Sequence, residues 1–180
     1  MAITYVGAGA VQTGANPTVP VPAGYAAGDL LLIFITGAAG SNTPFPTGWQ
    51  PIGTGGANPS FIVYGKFASA SESSVALTNS LTTNVAVMVA YRGVTGVDAI
   101  AAYNQNTGSS IATNTLTTRA NNDFVLSVFV ANDDSSTWTA PAGVNTRVTQ
   151  NPTNAVRGIL VTDVEQATAG TSTARTATVS

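Results

Sequence analysis

The chain contains neither cysteine nor histidine. Their absence excludes disulfides, thiol nucleophiles, imidazole bases and nearly all transition-metal sites. Charge is scarce too: 8% of residues are charged, against about 25% in an average soluble protein. The formal net charge is −2 and the pI about 4.7, so the chain has no basic footprint for nucleic acid. A serine nucleophile would have no histidine as its base and a single lysine, Lys66, in its place. The only glutamates, Glu72 and Glu165, sit in Ala/Ser/Thr-rich stretches with no supporting constellation for glycosidase-type chemistry. The expectation is a protein that is not an enzyme and uses no cofactor or metal.

Long hydrophobic runs are also missing. The run Leu30 to Ile35 in "AAGDLLLIFITG" (26–37) is far short of the ~20 residues a membrane helix needs. It follows Asp29 without a basic segment before it, which excludes a signal peptide, and the start at Met1 reads as unprocessed. No membrane partner is expected. Gly28 and Gly37 punctuate the run, as expected of a strand buried on both faces.

What is present is a 44% hydrophobic chain of 180 residues with frequent Thr, Asn, Gly and Pro. That content argues against disorder, and the length suits one domain over 1–180. Helical periodicity is not sustained anywhere. Strand signals fall at 3–7, 17–22, 29–36, 49–53, 61–68, 74–79 and 85–93, then at 97–104, 111–118, 123–131, 144–150, 157–165 and 172–180. Many short strands between turn residues predict an all-β fold: a two-sheet antiparallel β-sandwich, jelly-roll-like or of another two-sheet topology.

The sequence also repeats itself. "GDLLLIFITGAAGSNTPFPTGW" (28–49) resembles "NDFVLSVFVANDDSSTWTAPAGV" (122–144), with Asp29 and Asp123 offset by 94 and Gly48 and Gly143 by 95. Two tandem related halves, about 1–94 and 95–180, are predicted. Both aspartates are expected to bond turn backbone at the start of equivalent strands.

Four residues stand out as candidate contact sites. Asp133 and Asp134, in "ANDDSST", are the only adjacent acids; they read as a solvated loop or a weak cation contact, since the ligand spacing of a calcium loop is missing. Trp138, like Trp49, either caps the core or offers an aromatic platform for glycan. Arg92, at the end of "VAVMVAYRG" (85–93), is expected to pair with an acid, Asp98 being nearest along the chain, or to contact a neighbouring subunit.

The stretches "GDLLLIF", "PTGWQPIG", "FIVYGKFASASESS" and "VMVAYRGV", with "NDFVL" and "AGTSTARTAT" in the second half, resemble a β-sandwich family of bacteriophage structural proteins found also in some bacterial surface proteins. The resemblance covers roughly 3–180 and concerns a scaffold rather than chemistry. It implies a virion structural protein of the capsid decoration (cement) type, made in the host cytoplasm and placed on the capsid surface. Its implied partners are the major capsid protein and copies of itself, as a trimer at a threefold lattice position. A tail or baseplate module that binds host glycan is the alternative. Members of that family often carry a further apolar strand after the last segment, the counterpart of 85–93. Its absence before Ser180 leads to the expectation of a sheet edge near the C-terminal segment, covered by a neighbouring subunit.

Overall fold

The computed structural model describes residues 2–37, 46–56, 60–78, 84–104, 108–132, 136–153 and 156–180, and all regular structure among them is β. The first half contributes β1 (Thr4–Ala8), β2 (Gln12–Thr13), β3 (Thr18–Val19), β4 (Leu30–Gly37), β5 (Gln50–Gly55), β6 (Ser60–Phe67), β7 (Val75–Ala76) and β8 (Val85–Arg92). The second contributes β9 (Ser110–Ala112), β10 (Thr117–Thr118), β11 (Asp123–Ala131) and β12 (Trp138–Thr139). After them come β13 (Asn145–Gln150), β14 (Gly158–Gln166), β15 (Gly170–Thr171) and β16 (Thr176–Val179).

These strands form five antiparallel sheets, none closed into a barrel. The largest runs β1-β8-β4-β6-β5, with β2 also on β8; the others are β11-β14-β13, β12-β16-β9, β10-β15 and β3-β7. The expected two-sheet, jelly-roll-like sandwich is therefore wrong, and the fold lends nothing to a jelly-roll capsid assignment. The reason lies in the run at Leu30. A two-sheet sandwich covers one face of each sheet and leaves the other to water. Here every residue of β4 is buried, as is every residue of β8 up to Tyr91. Leu30, Leu32 and Phe34 pack with Val130, Val148, Ile159 and Val161 of the β11-β14-β13 sheet. Leu31, Ile33 and Ile35 pack on the opposite side with Val19, Trp49 and Leu77, under the β3-β7 ribbon. Burying such side chains contributes about 1.5–3 kcal/mol each, which requires cover on both faces.

The second half is layered in the same way. Phe129, Leu160 and Ala131 turn away from the central sheet and pack with Trp138, Ala177 and Val179. The β9-β16 and β10-β15 ladders follow one another along the same two chain segments, joined by Thr113 N to Arg175 O (2.8 Å) and Ser172 N to Leu116 O (2.7 Å).

The two halves share strand order. β4, β5 and β6 assemble as β4-β6-β5, and β11, β13 and β14 as β11-β14-β13. The pairs β5–β6 and β13–β14 each carry a β-bulge, between Pro51 and Gly53 and between Thr146 and Val148, 95 residues apart. The difference is on the other side of the first strand. β4 has β8 there, with Leu30 opposite Tyr91 and Thr36 opposite Val85. β11 has no strand there among the described residues.

The segment 97–104, expected as a strand, is not one. It has no ladder partner and is held by side chains instead. Asn104 Nδ2 donates to Ala112 O (3.1 Å), and Asn114 Nδ2 donates to Ala102 O (2.9 Å). Tyr103 lies directly over Gly55, where any Cβ would collide with its ring.

Candidate functional site

A fully buried acid marks the junction of the halves. Asp163 lies within the apolar strand β14 and has no exposed surface. A buried carboxylate persists only when paired and hydrogen-bonded. Asp163 accepts from Tyr91 Oη (2.7 Å), Arg147 Nε (2.7 Å) and Asn145 Nδ2 (3.1 Å). Arg147 is the extra residue at the β13 bulge, and a bulge re-aims its side chain. Its guanidinium also lies 4.3 Å from the centre of the Tyr5 ring, which meets Tyr91 edge-on at 5.5 Å.

Burial pushes the Tyr91 phenol far above its ordinary range, and its bond to Asp163 pushes the same way. The Asp163 hydrogen bond raises Arg147, and burial raises Tyr5. Tyr91 therefore keeps its proton, and Arg147 its charge, across the physiological range. The cluster is a clamp of three donors on one carboxylate, between β8 of one half and β13-β14 of the other. Its oxygens are committed to holding the halves together.

The sequence did not single out these residues. A lone Asp inside "RGILVTDVE" (157–165) was the available signal, since an acid on an otherwise buried strand needs partners. Its partners stand 16, 18 and 72 positions away in the chain.

Arg92 has the acidic partner expected of it, but the partner is Asp29. Its Nε donates to Oδ1 (2.9 Å) and its Nη2 to Oδ2 (2.8 Å), with a further bond to Gly24 O (3.1 Å). Asp98 lies instead beside Arg119, whose backbone N donates to it at 2.5 Å. The reason is geometric: Leu30 and Tyr91 are paired in the ladder, which brings the residues flanking them together. Asp29 and Asp123 also make the same turn bond three residues back, to Ala26 N (2.8 Å) and Ala120 N (3.4 Å).

Trp138 is buried at 7% exposure, and its Nε1 donates to Gln150 O (3.0 Å). It caps the core and presents no platform. Asp133 and Asp134 lie outside the described residues. Arg92 and Trp138 belong to different sheets and are not brought together. Among the described residues no group of three or more acids could hold a metal ion.

A groove of about 670 Å³ lies beside the open edge of β11. Phe61 and Val63 of β6 and Ile52 of β5 line one side, Ile111 and Leu116 another, and Val94 and the segment 96–104 line it as well. All of β11 lines it. Phe124, Leu126 and Val128 face the large sheet but stay only half-buried, whereas their counterparts Leu30, Leu32 and Phe34 are buried. The groove combines free backbone hydrogen-bonding capacity with apolar walls, a combination suited to extended polypeptide.

No protein-family profile matches the chain, and no curated protein or solved structure matches it significantly.

Proposed function

We propose that the chain is a non-catalytic structural subunit that works by binding other protein chains into an assembly. The observation that carries this reading is the strand β11, paired with β14 on one side and, among the described residues, with no strand on the other, where an apolar groove runs beside it. Unpaired strand edges with apolar surroundings are surfaces for another chain, and soluble proteins otherwise blunt them with charge or proline. β11 carries neither proline nor lysine. The use of Asp163, Tyr91 and Arg147 as a clamp supports the same reading.

The setting we propose is the phage particle to which the sequence resemblance points. There the chain would stabilise a shell through contacts with the capsid protein and with copies of itself, by mass action on the assembled state. Particles assembled without the chain should form but release their contents on mild heating, and adding the purified protein back should restore them. Particles of unchanged stability would remove the virion role. The glycan-binding alternative has lost its aromatic platform with the burial of Trp138.

A further inference from the structure

We infer that the groove along β11 is a receptor slot for one further extended strand, the counterpart of β8. That strand is antiparallel to β11, apolar on both faces over about seven residues, and ends in arginine or lysine. The inference deepens the reading of the chain as an assembly subunit, but it can be tested apart from any particle.

The molecule contains its own template for the occupant. β4 and β11 are equivalent strands: each opens with the same aspartate turn, pairs with the sixth strand of its half (β6 or β14), and stands in the same strand order. On its other side β4 carries β8, antiparallel, along Leu30–Thr36. With the 94-residue offset, that stretch corresponds to Phe124–Val130 of β11, the stretch that lines the groove. β8 has Val85, Val87, Val89 and Tyr91 on one face and Ala86, Met88 and Ala90 on the other, all buried. An occupant of the β11 slot would likewise meet apolar side chains, Phe61 and Val63 on one side and Ile111 and Leu116 on the other, and would lie beside the segment 96–104 that also lines the groove. Main-chain bonds to β11 would give affinity, and the side-chain pockets would select alternating apolar residues.

A second, independent feature fixes the far end. In the first half, Arg92 follows the last strand pair and closes on Asp29 through two hydrogen bonds. Asp123 is the counterpart of Asp29, is only partly exposed, and has no ion pair among the described residues. It lines the same groove. A cation at the end of the incoming strand would reach Asp123 as Arg92 reaches Asp29, which sets the register of the bound strand as well as its direction.

The probe is the template itself: a peptide with the sequence of residues 84–93, NVAVMVAYRG, carrying a solubilising N-terminal tail, titrated into the full chain. The expected result is saturable binding that slows hydrogen exchange at the β11 amides pointing away from β14. Asp123→Asn should weaken binding about fivefold, as for a partly exposed ion pair, and a peptide ending in Glu should weaken it at least as much. Val128→Lys, which puts a charge into the slot, should abolish binding. If that variant fails to fold, a second protein decides. The full chain is extended at its C-terminus by a short loop and a copy of residues 84–93, and should melt higher than the unextended chain, less so with Asp123→Asn. Three outcomes would overturn the proposal: no binding together with an unchanged melting temperature of the extended chain, pairing of two copies through β11 without affinity for the peptide, or an apolar dye that fills the groove and is not displaced by peptide.

Discussion

The Tyr91 hydroxyl donates a 2.7 Å hydrogen bond to the Asp163 carboxylate, and this bond ties the last strand of the first half to the middle strand of the second. Both groups are buried, at 1% and 0% exposure. Tyr91→Phe removes the donor and leaves Asp163 with Arg147 and Asn145. We expect a loss of about 1.5–3 kcal/mol, the range for a hydrogen bond to a charged group. Asp163→Asn should cost more, about 3–5 kcal/mol, because it leaves the largely buried Arg147 without its counter-charge. Urea unfolding measures both, and a change below about 0.5 kcal/mol in either would mean the clamp contributes nothing beyond an ordinary surface position.

The Asp29–Arg92 pair predicts a pH dependence. The Arg92 hydrogen bond holds the Asp29 carboxyl below its usual range; burial opposes this, and the Ala26 N–H bond adds to it. A depressed carboxylate pKa in the folded state gives stability that is present above the unfolded value. It is lost as the pH falls through the folded one. Arg92→Met removes the main cause of the depression while burial still acts. The variant should therefore be less stable than the parent at neutral pH, and the gap should close as the pH falls below the ordinary aspartate range. Thermal melts from neutral pH to about pH 2.5 span both aspartate pKa values. A gap that stays constant across that range would exclude Asp29 as the group stabilised by Arg92.

How much of this was legible in the sequence depends on the distance over which each feature acts. The all-β character was legible, because turn residues and apolar runs act locally. The run Leu30–Ile35 was correctly a strand buried on both faces. It also argued against a two-sheet sandwich, since two apolar faces need two covering layers, and that consequence is visible only when Leu31 and Leu32 are assigned to opposite cores. Strand count could not say how the sixteen strands of the described residues divide into sheets. Asp163 was missed because its significance depends on Tyr91, 72 positions earlier. Arg92 was given an acidic partner by chemistry and the wrong one by proximity in the chain: Asp29 is 63 positions away, yet adjacent across the ladder. The groove was invisible for the same reason: the expected open edge was the C-terminal segment, but β16 is paired on both sides, with β12 and with β9. The open strand is β11, and β1, a conceivable cover, pairs with β8 instead.

The last prediction tests whether the two halves use the same turn. Gly48 and Gly143, 95 positions apart, both have positive φ, 83° and 72°, and both follow a proline by two residues. A Cβ at Gly48 would meet nothing within 4 Å, and one at Gly143 would meet only the Arg175 guanidinium at 4.0 Å. The cost of a side chain at either position is therefore in the backbone alone. Alanine in the left-handed region should cost about 1–2 kcal/mol at each site, and asparagine, which tolerates that region, clearly less. Gly55 provides the contrast: its φ is not positive, and a Cβ there runs into Tyr103. Alanine at Gly55 should destabilise by overpacking, about 1–3 kcal/mol, and asparagine, being larger, should be worse. Urea unfolding of the six single variants separates the cases. Asparagine milder than alanine at Gly48 and Gly143 but harsher at Gly55 is the expected pattern. If asparagine gives no relief at Gly143, the second turn is not the conformational copy of the first.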